Sequence, residues 1–275
     1  MREEHSIPSS VPEPRIPNPE PRPCRLSAII IARNEEAQIG ACLDSVQWVD
    51  EVVVVDSGST DRTVEWARAR ATKVIQTTWE GYVNTKVRAV DETSGDWVLW
   101  VDADERVTPE LAAEIQAVLR HAGDEYRGFY IARKAIFLGR WMKHCGWYPG
   151  YVCRLFRKDA ARFDGALVHE SVVVDGRIGY LKEPLIHYTD TTLEHYVEKF
   201  NTYTTLAAQQ LYQDGFRFRL IDLLVRPPFA FVKMYVIKRG FLDGLQGLIL
   251  CVLSSCYVFT KYAKLWHLWH GKGDS

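Results

Sequence analysis

From residue 26 onward, apolar runs of four to seven residues alternate with segments whose apolar positions recur every three or four. The runs at 26–32, 51–55 and 97–101 read as strands buried on both faces, because a strand with one wet face would alternate with polar residues, and 73–76 reads as a further short strand. The intervening segments at 35–46, 60–70, 82–92 and 109–120 have helical spacing. Ser59 or Thr60 is the expected N-cap of the second, and Pro109 sits in the first turn of the fourth. Strand–helix alternation of this kind implies right-handed βαβ units and a mainly parallel α/β sheet flanked by helices. Beyond Arg127 the pattern loosens. Segments 128–132 and 151–156 read as strands, 172–174 and 178–181 flank Asp175-Gly176 as an expected hairpin, and 193–212 is helical.

The ends of the chain have a different character. Residues 1–25 hold seven of the twelve prolines and almost no apolar side chains, so a disordered tail is expected. Residues 26–214 form the expected catalytic domain. Residues 215–275 are apolar and basic, with Arg217, Arg219, Arg226, Lys233, Lys238, Arg239, Lys261 and Lys264 against Asp222 and Asp243. Within them 244–260 is a 17-residue run without charge. A spanning helix needs about 20 such residues. The expectation is therefore a helix pair lying on a membrane surface or dipping into it, broken at Pro227-Pro228, with Trp266, His267, Trp269 and His270 as an interfacial belt.

Composition narrows the function classes. A net charge of −1 leaves no whole-chain basic field, so nucleic acid is not an expected partner. The six cysteines form no zinc spacing and read as scattered reduced thiols, which suits a cytoplasmic protein. The start Met1-Arg2-Glu3-Glu4-His5 carries no apolar stretch, so no leader is expected.

Candidate chemistry collects at the strand ends, where open α/β sheets bind ligands. The fourth run ends in Val101-Asp102-Ala103-Asp104-Glu105. Two carboxylates there suit a divalent cation held against a diphosphate, since Mg²⁺ favours one or two carboxylates plus phosphate oxygens. The competing reading is that they favour the start of the next helix. The first run ends in Arg33-Asn34-Glu35-Glu36, where Asn34 could contact a nucleotide or only cap a helix. The second ends in Asp56-Ser57-Gly58-Ser59-Thr60-Asp61, where Asp56 could accept the N–H of a uracil-type base or only close the turn. Lys86 could pair with phosphate as a point charge.

These runs, Ser27-Ala28-Ile29-Ile30-Ile31-Ala32-Arg33-Asn34-Glu35-Glu36, Asp56-Ser57-Gly58-Ser59-Thr60-Asp61 and Val101-Asp102-Ala103-Asp104-Glu105, together resemble family 2 glycosyltransferases of the GT-A fold. Gly146-Trp147-Tyr148-Pro149, Arg154-Leu155-Phe156-Arg157, Val168-His169-Glu170 and the 238–244 segment resemble the bacterial lipopolysaccharide core β-glucosyltransferase subgroup. The resemblance implies a nucleotide-diphospho-sugar donor, usually a UDP-sugar, with Asp56 at the base and Glu35 at the nucleoside. It places Asp102 near ribose and metal, and Asp104 on the Mg²⁺ or Mn²⁺ that bridges the diphosphate. Lys86 and Arg154 would add positive charge there. The implied acceptor is a lipid-linked saccharide, such as a lipopolysaccharide inner-core heptose, reached at the inner face of the cytoplasmic membrane.

An inverting transfer needs one base to activate the acceptor hydroxyl, within hydrogen-bond reach of it. His169-Glu170 offers it, Glu170 ahead of His169, with Glu105 as a further carboxylate. Trp147 and Tyr148 read as an acceptor-side wall or as core anchors. His187 and His195 read as structural. Two other readings stay open: transfer to a polyprenyl phosphate, which needs no deprotonation at neutral pH, and a non-catalytic nucleotide-sugar scaffold. A nucleotidyltransferase is disfavoured because no glycine-rich loop follows the first run.

Overall fold

The computed structural model describes residues 24–78, 82–121, 125–163, 172–190 and 192–271. The four apolar runs form β1 (Leu26–Ala32), β2 (Glu51–Asp56), β3 (Lys73–Gln76) and β4 (Trp97–Trp100). The helices between and after them are α1 (Ile39–Ser45), α2 (Thr63–Arg68), α3 (Tyr82–Asp91) and α4 (Pro109–His121), with a two-residue strand β5 (Glu105–Arg106) before α4. β3, β2, β1 and β4 pair in that order, all parallel. Ala28 and Ile30 face one way and pack against Ile39 and Leu43 of α1 and Leu111 and Ile115 of α4. Ile29 and Val53 face the other way, with Ala89 and Val90 of α3. Both faces are covered, which is why these strands carry no polar alternation.

The second helix is shorter than expected and uses neither expected cap. Its N-cap is Arg62, without a side-chain bond. Ser59 Oγ donates to Asp56 instead, and the Thr60 N–H donates to Asn34 Oδ1 at 2.8 Å. The loop after β2 is thus tied to the loop after β1, with Gly58 at φ +91° making a turn that an L side chain would strain.

The second half of the sheet departs further from the expectation. β6 (Gly128–Phe137), β7 (Arg140–Trp141), β8 (Gly150–Arg157), β9 (Ala161–Phe163), β10 (Val172–Val174), β11 (Ile178–Tyr180) and β12 (Leu185–Asp190) follow. Among the described residues the main sheet runs β3-β2-β1-β4-β8-β6-β12-β5, with β7 and β11 also paired to β6. β8 is antiparallel to both β4 and β6, so the sheet is mixed. The expected hairpin does not form: β10 pairs antiparallel with β9 in a separate two-stranded sheet, whereas β11 lies parallel to β6.

The C-terminal region consists of helices. α5 (Leu193–Gln213) is capped by the Thr192 side chain. α6 (Leu220–Leu224) and α7 (Arg226–Val232) are split at the expected place, with proline in the first turn of α7. A π turn (Lys233–Ile237) and a 3₁₀ turn (Gly240–Asp243) lead into α8 (Gly244–His270). The uncharged run is therefore part of one continuous 27-residue helix, about 40 Å long. It is the one helix among the described residues long and apolar enough to cross a membrane, and 22% of its most apolar window is buried in the protein. A Cβ on Gly247 would lie 2.1 Å from the Gly240 carbonyl oxygen, so glycine there lets α8 seat directly on the 3₁₀ turn. Farther along, Tyr262 and Leu265 pack with Ala208 of α5. Trp269 Nε1 donates to the Phe216 carbonyl at 3.1 Å and its ring packs on Tyr212, while Trp266 stays half exposed.

The 141–149 segment forms the seam with this region. Asp243, 2% exposed, accepts the His144 N–H and pairs with His144 Nδ1, both at 2.8 Å. Trp147 packs edge-on to Phe137 in a cluster that includes Leu250 and Cys251.

Candidate active site

A cavity of about 840 Å³ opens beyond the carboxyl end of β4. It is lined from β1 and its loop by Ile31 and Glu35, from α3 by Thr85 and Lys86, and from the β4 end by Trp100, Asp102 and Asp104. β8 contributes Arg154, β12 contributes His187, and α5 closes one side with Lys199 and Tyr203. Five of the expected donor-site residues, Glu35, Lys86, Asp102, Asp104 and Arg154, thus share one lining. Asn34, Asp56, Trp147 and Tyr148 do not line it. Asn34 bridges the two loops, at φ +56°. Asp56 is 1% exposed, and its carboxylate accepts the Gly58 N–H at 3.2 Å and the Ser59 N–H at 3.1 Å. His169 and Glu170 lie outside the described residues.

The two aspartates have different surroundings. Asp102 pairs with Arg154 and accepts Trp100 Nε1–H at 2.9 Å. Arg154 also holds Glu105 at 2.9 Å, and the Asp102 N–H donates to Glu105 Oε2 at 3.0 Å. Glu105 is fully buried behind Asp102. This removes it as a base for an incoming acceptor and makes it the brace of the acidic loop. Removing one member of such a buried ion set leaves an uncompensated charge at a cost of about 3–5 kcal/mol. The Arg154 guanidinium and the Lys86 ammonium lie 4.3 and 4.2 Å from the centre of the Trp100 ring. Trp100 thereby gathers two cations beside Asp102.

Asp104 Oδ2 lies 3.3 Å from His187 Nε2 and 3.6 Å from Lys199 Nζ. Burial pushes its pKa up, but the His187 hydrogen bond and the His187, Lys199 and Arg154 charges outweigh that and hold it at about 2. Glu35 goes the other way: burial, then the Asp104 charge, lift it to about 7. Burial alone would lower His187, yet the Asp104 bond and charge leave its pKa raised. His187, expected to be structural, lines the cavity and holds Asp104, and Lys199 was not foreseen. No local sequence signal marks either residue, since His187 and Lys199 reach Asp104 from β12 and α5.

The donor set fits a hard divalent cation. Carboxylate oxygens are the ligands Mg²⁺ and Mn²⁺ take, Asp104 stays ionised, and the Asp104 and Asp102 charges that add to the burial effect on Glu35 would be offset by a cation. Among the described residues no ready-made group of three or more ligating side chains exists, as expected where phosphate completes the coordination.

Residues 27–189, more than half the chain, match the family model for glycosyl transferase family 2. A lipopolysaccharide core biosynthesis glycosyltransferase of Rhizobium meliloti is 33% identical, over 88% of this chain and 92% of its own. An uncharacterized glycosyltransferase of Rickettsia typhi is 34% identical, over 88% and 86%. Among solved structures, glucosyl-3-phosphoglycerate synthase from Mycobacterium tuberculosis, crystallised with Mn²⁺, UDP and glucosyl-3-phosphoglycerate, is 20% identical at a TM-score of 0.47, covering 70% of this chain and 81% of that one.

Proposed function

The chain belongs to glycosyl transferase family 2 and is a transferase, and on that premise we propose that it moves a hexose, glucose first, from a UDP-sugar to a lipid-linked saccharide of the lipopolysaccharide inner core, with inversion. The observation that carries this reading is the single cavity in which Glu35, Lys86, Asp102, Asp104 and Arg154 converge. Its volume suits a nucleotide-sugar, whose binding needs a concave site with a few converging polar groups. Asp104, with Asp102 beside it, would hold Mg²⁺ or Mn²⁺, which when bound supplies Lewis-acid relief of charge on the departing diphosphate.

The chain's own residues divide the remaining work. Arg154 and Glu105 fix Asp102 in place. Lys86, packed on Trp100, and Lys199, beside Asp104, bring positive charge to the phosphate side. Glu170 takes the proton of the acceptor hydroxyl as that oxygen attacks the anomeric carbon, with His169 beside it. Asp56 and Asn34 shape the loops on the nucleoside side. The direct test is incubation with UDP-glucose, Mn²⁺ and a truncated, heptose-terminated lipopolysaccharide. UDP release matched by a β-linked glucose on the saccharide is expected, whereas an α-linked product contradicts inversion.

The membrane contact falls on the C-terminal region. Leu220, Ile221, Leu224, Phe229, Ile237 and Leu245 are each at least 60% exposed. Exposed Arg217, Arg219, Lys233, Lys238 and Arg239 lie among them, while Asp222 and Asp243 are buried. A large apolar surface mixed with cations matches an anionic bilayer surface. The protein is expected to float with vesicles containing phosphatidylglycerol. An Ile221→Ser/Leu224→Ser/Phe229→Ser variant should stay mostly in the soluble fraction; equal flotation of both proteins would refute this contact.

A further inference from the structure

Three tyrosines stand together on the side of the cavity away from the nucleoside loops. Tyr130 of β6 is the register partner of Tyr180 of β11, and their rings stack at 5.1 Å and 28°. Tyr151 of β8 pairs opposite Ala132, two residues along β6 from Tyr130, so it emerges on the same face. Its ring meets Tyr180 edge-on at 5.0 Å. Tyr130 and Tyr151 line the cavity, and Tyr180 extends the cluster outward. Tyr180 is 62% exposed and Tyr151 46%, so these rings do not serve the core.

We propose that Tyr151 and Tyr180, backed by Tyr130, form a stacking platform for a pyranose ring of the acceptor saccharide. A pyranose presents C–H-bearing faces about the size of one aromatic ring, and tyrosine adds a hydroxyl that can bond to the sugar's own. Position favours the acceptor over the donor nucleoside. β6 is three strands from β1, about 14 Å at ordinary strand spacing, and β11 is one strand farther. The acidic loop after β4 lies between, so a donor held at β1 and β4 leaves its sugar facing the tyrosines. The platform rests on the transferase reading above and adds to it where the acceptor binds.

The test uses the full chain, UDP with Mn²⁺, and the core oligosaccharide released from lipopolysaccharide by mild acid. Saturation-transfer NMR reads oligosaccharide binding, and the UDP–Mn²⁺ thermal shift independently reads the donor site. Wild type should show saturation of sugar ring C–H protons. In a Tyr151→Ala/Tyr180→Ala variant the oligosaccharide should bind roughly tenfold more weakly, with acceptor KM rising more than kcat falls. The UDP–Mn²⁺ shift should be kept, which also certifies the fold. The Tyr151→Phe/Tyr180→Phe variant, which keeps the rings, should stay within about threefold of wild type. Oligosaccharide binding unchanged in the alanine variant, or absent from wild type, overturns the platform. Loss of the UDP–Mn²⁺ shift in wild type would instead strike the donor reading.

Discussion

Replacing Asp104 with asparagine should lower sugar transfer by about a hundredfold to a thousandfold while leaving the fold intact. Asparagine keeps the shape and the hydrogen-bonding oxygen but removes the charge. In the native site that charge is secured by His187 and Lys199, which hold the carboxyl ionised far below neutrality. Without it, a bound divalent cation would lose a carboxylate that its neighbours keep ionised, and the departing diphosphate would lose that relief. The effect should appear in kcat and in the metal concentration needed for half-maximal rate. Asp102→Asn should act differently. Its carboxylate is already paired with Arg154, so that change also frees a buried guanidinium and should cost stability as well as activity. A steady-state metal titration on Asp104→Asn, alongside its melting curve, separates lost chemistry from lost structure.

Glu170→Gln should reduce kcat by roughly a hundredfold to ten-thousandfold, the range for removing a general base, with the donor KM little changed. A saccharide hydroxyl must lose a proton as it attacks, and glutamine cannot accept it. Glu105, the further carboxylate expected as a base, cannot substitute because it is fully buried, bonded to the Asp102 N–H and to Arg154. A kcat within about threefold of wild type would point to an acceptor that is already an anion, such as a polyprenyl phosphate, for which no base is needed. Single-turnover measurement of the transfer step gives the cleanest reading, since product release cannot mask it.

The parallel half of the fold was legible because burial on both faces leaves an unbroken apolar run. Ile29, Ile30, Val53 and Val54 announce their strands without any tertiary knowledge. The antiparallel half was harder. The chain does bend at Asp175-Gly176, with Gly176 at φ +132°, but turn chemistry does not choose the partners. Val172–Val174 pairs with the preceding Ala161–Phe163, and Ile178–Tyr180 with the distant Gly128–Phe137, instead of each other.

The site divides in the same way. Asp102 and Asp104 stand out in sequence because charge follows an apolar strand abruptly. Their supports do not: Glu105 meets Arg154 across 49 positions, and His187 and Lys199 reach Asp104 from β12 and α5. No local spacing encodes such contacts. Trp147 looked equally suited to an acceptor wall or a core anchor, and the seam with α8 gives it packing partners in Phe137 and its neighbours.

The central claim is that Asp104 anchors a cation-dependent nucleotide site at the end of β4. Calorimetric titration of UDP into wild type and Asp104→Asn, each with and without Mn²⁺, tests it most directly. Wild type should bind UDP at least about tenfold more tightly with Mn²⁺ than without, and the variant should show no such difference. Equal manganese dependence in the two proteins, or no UDP binding to wild type in either condition, would contradict it.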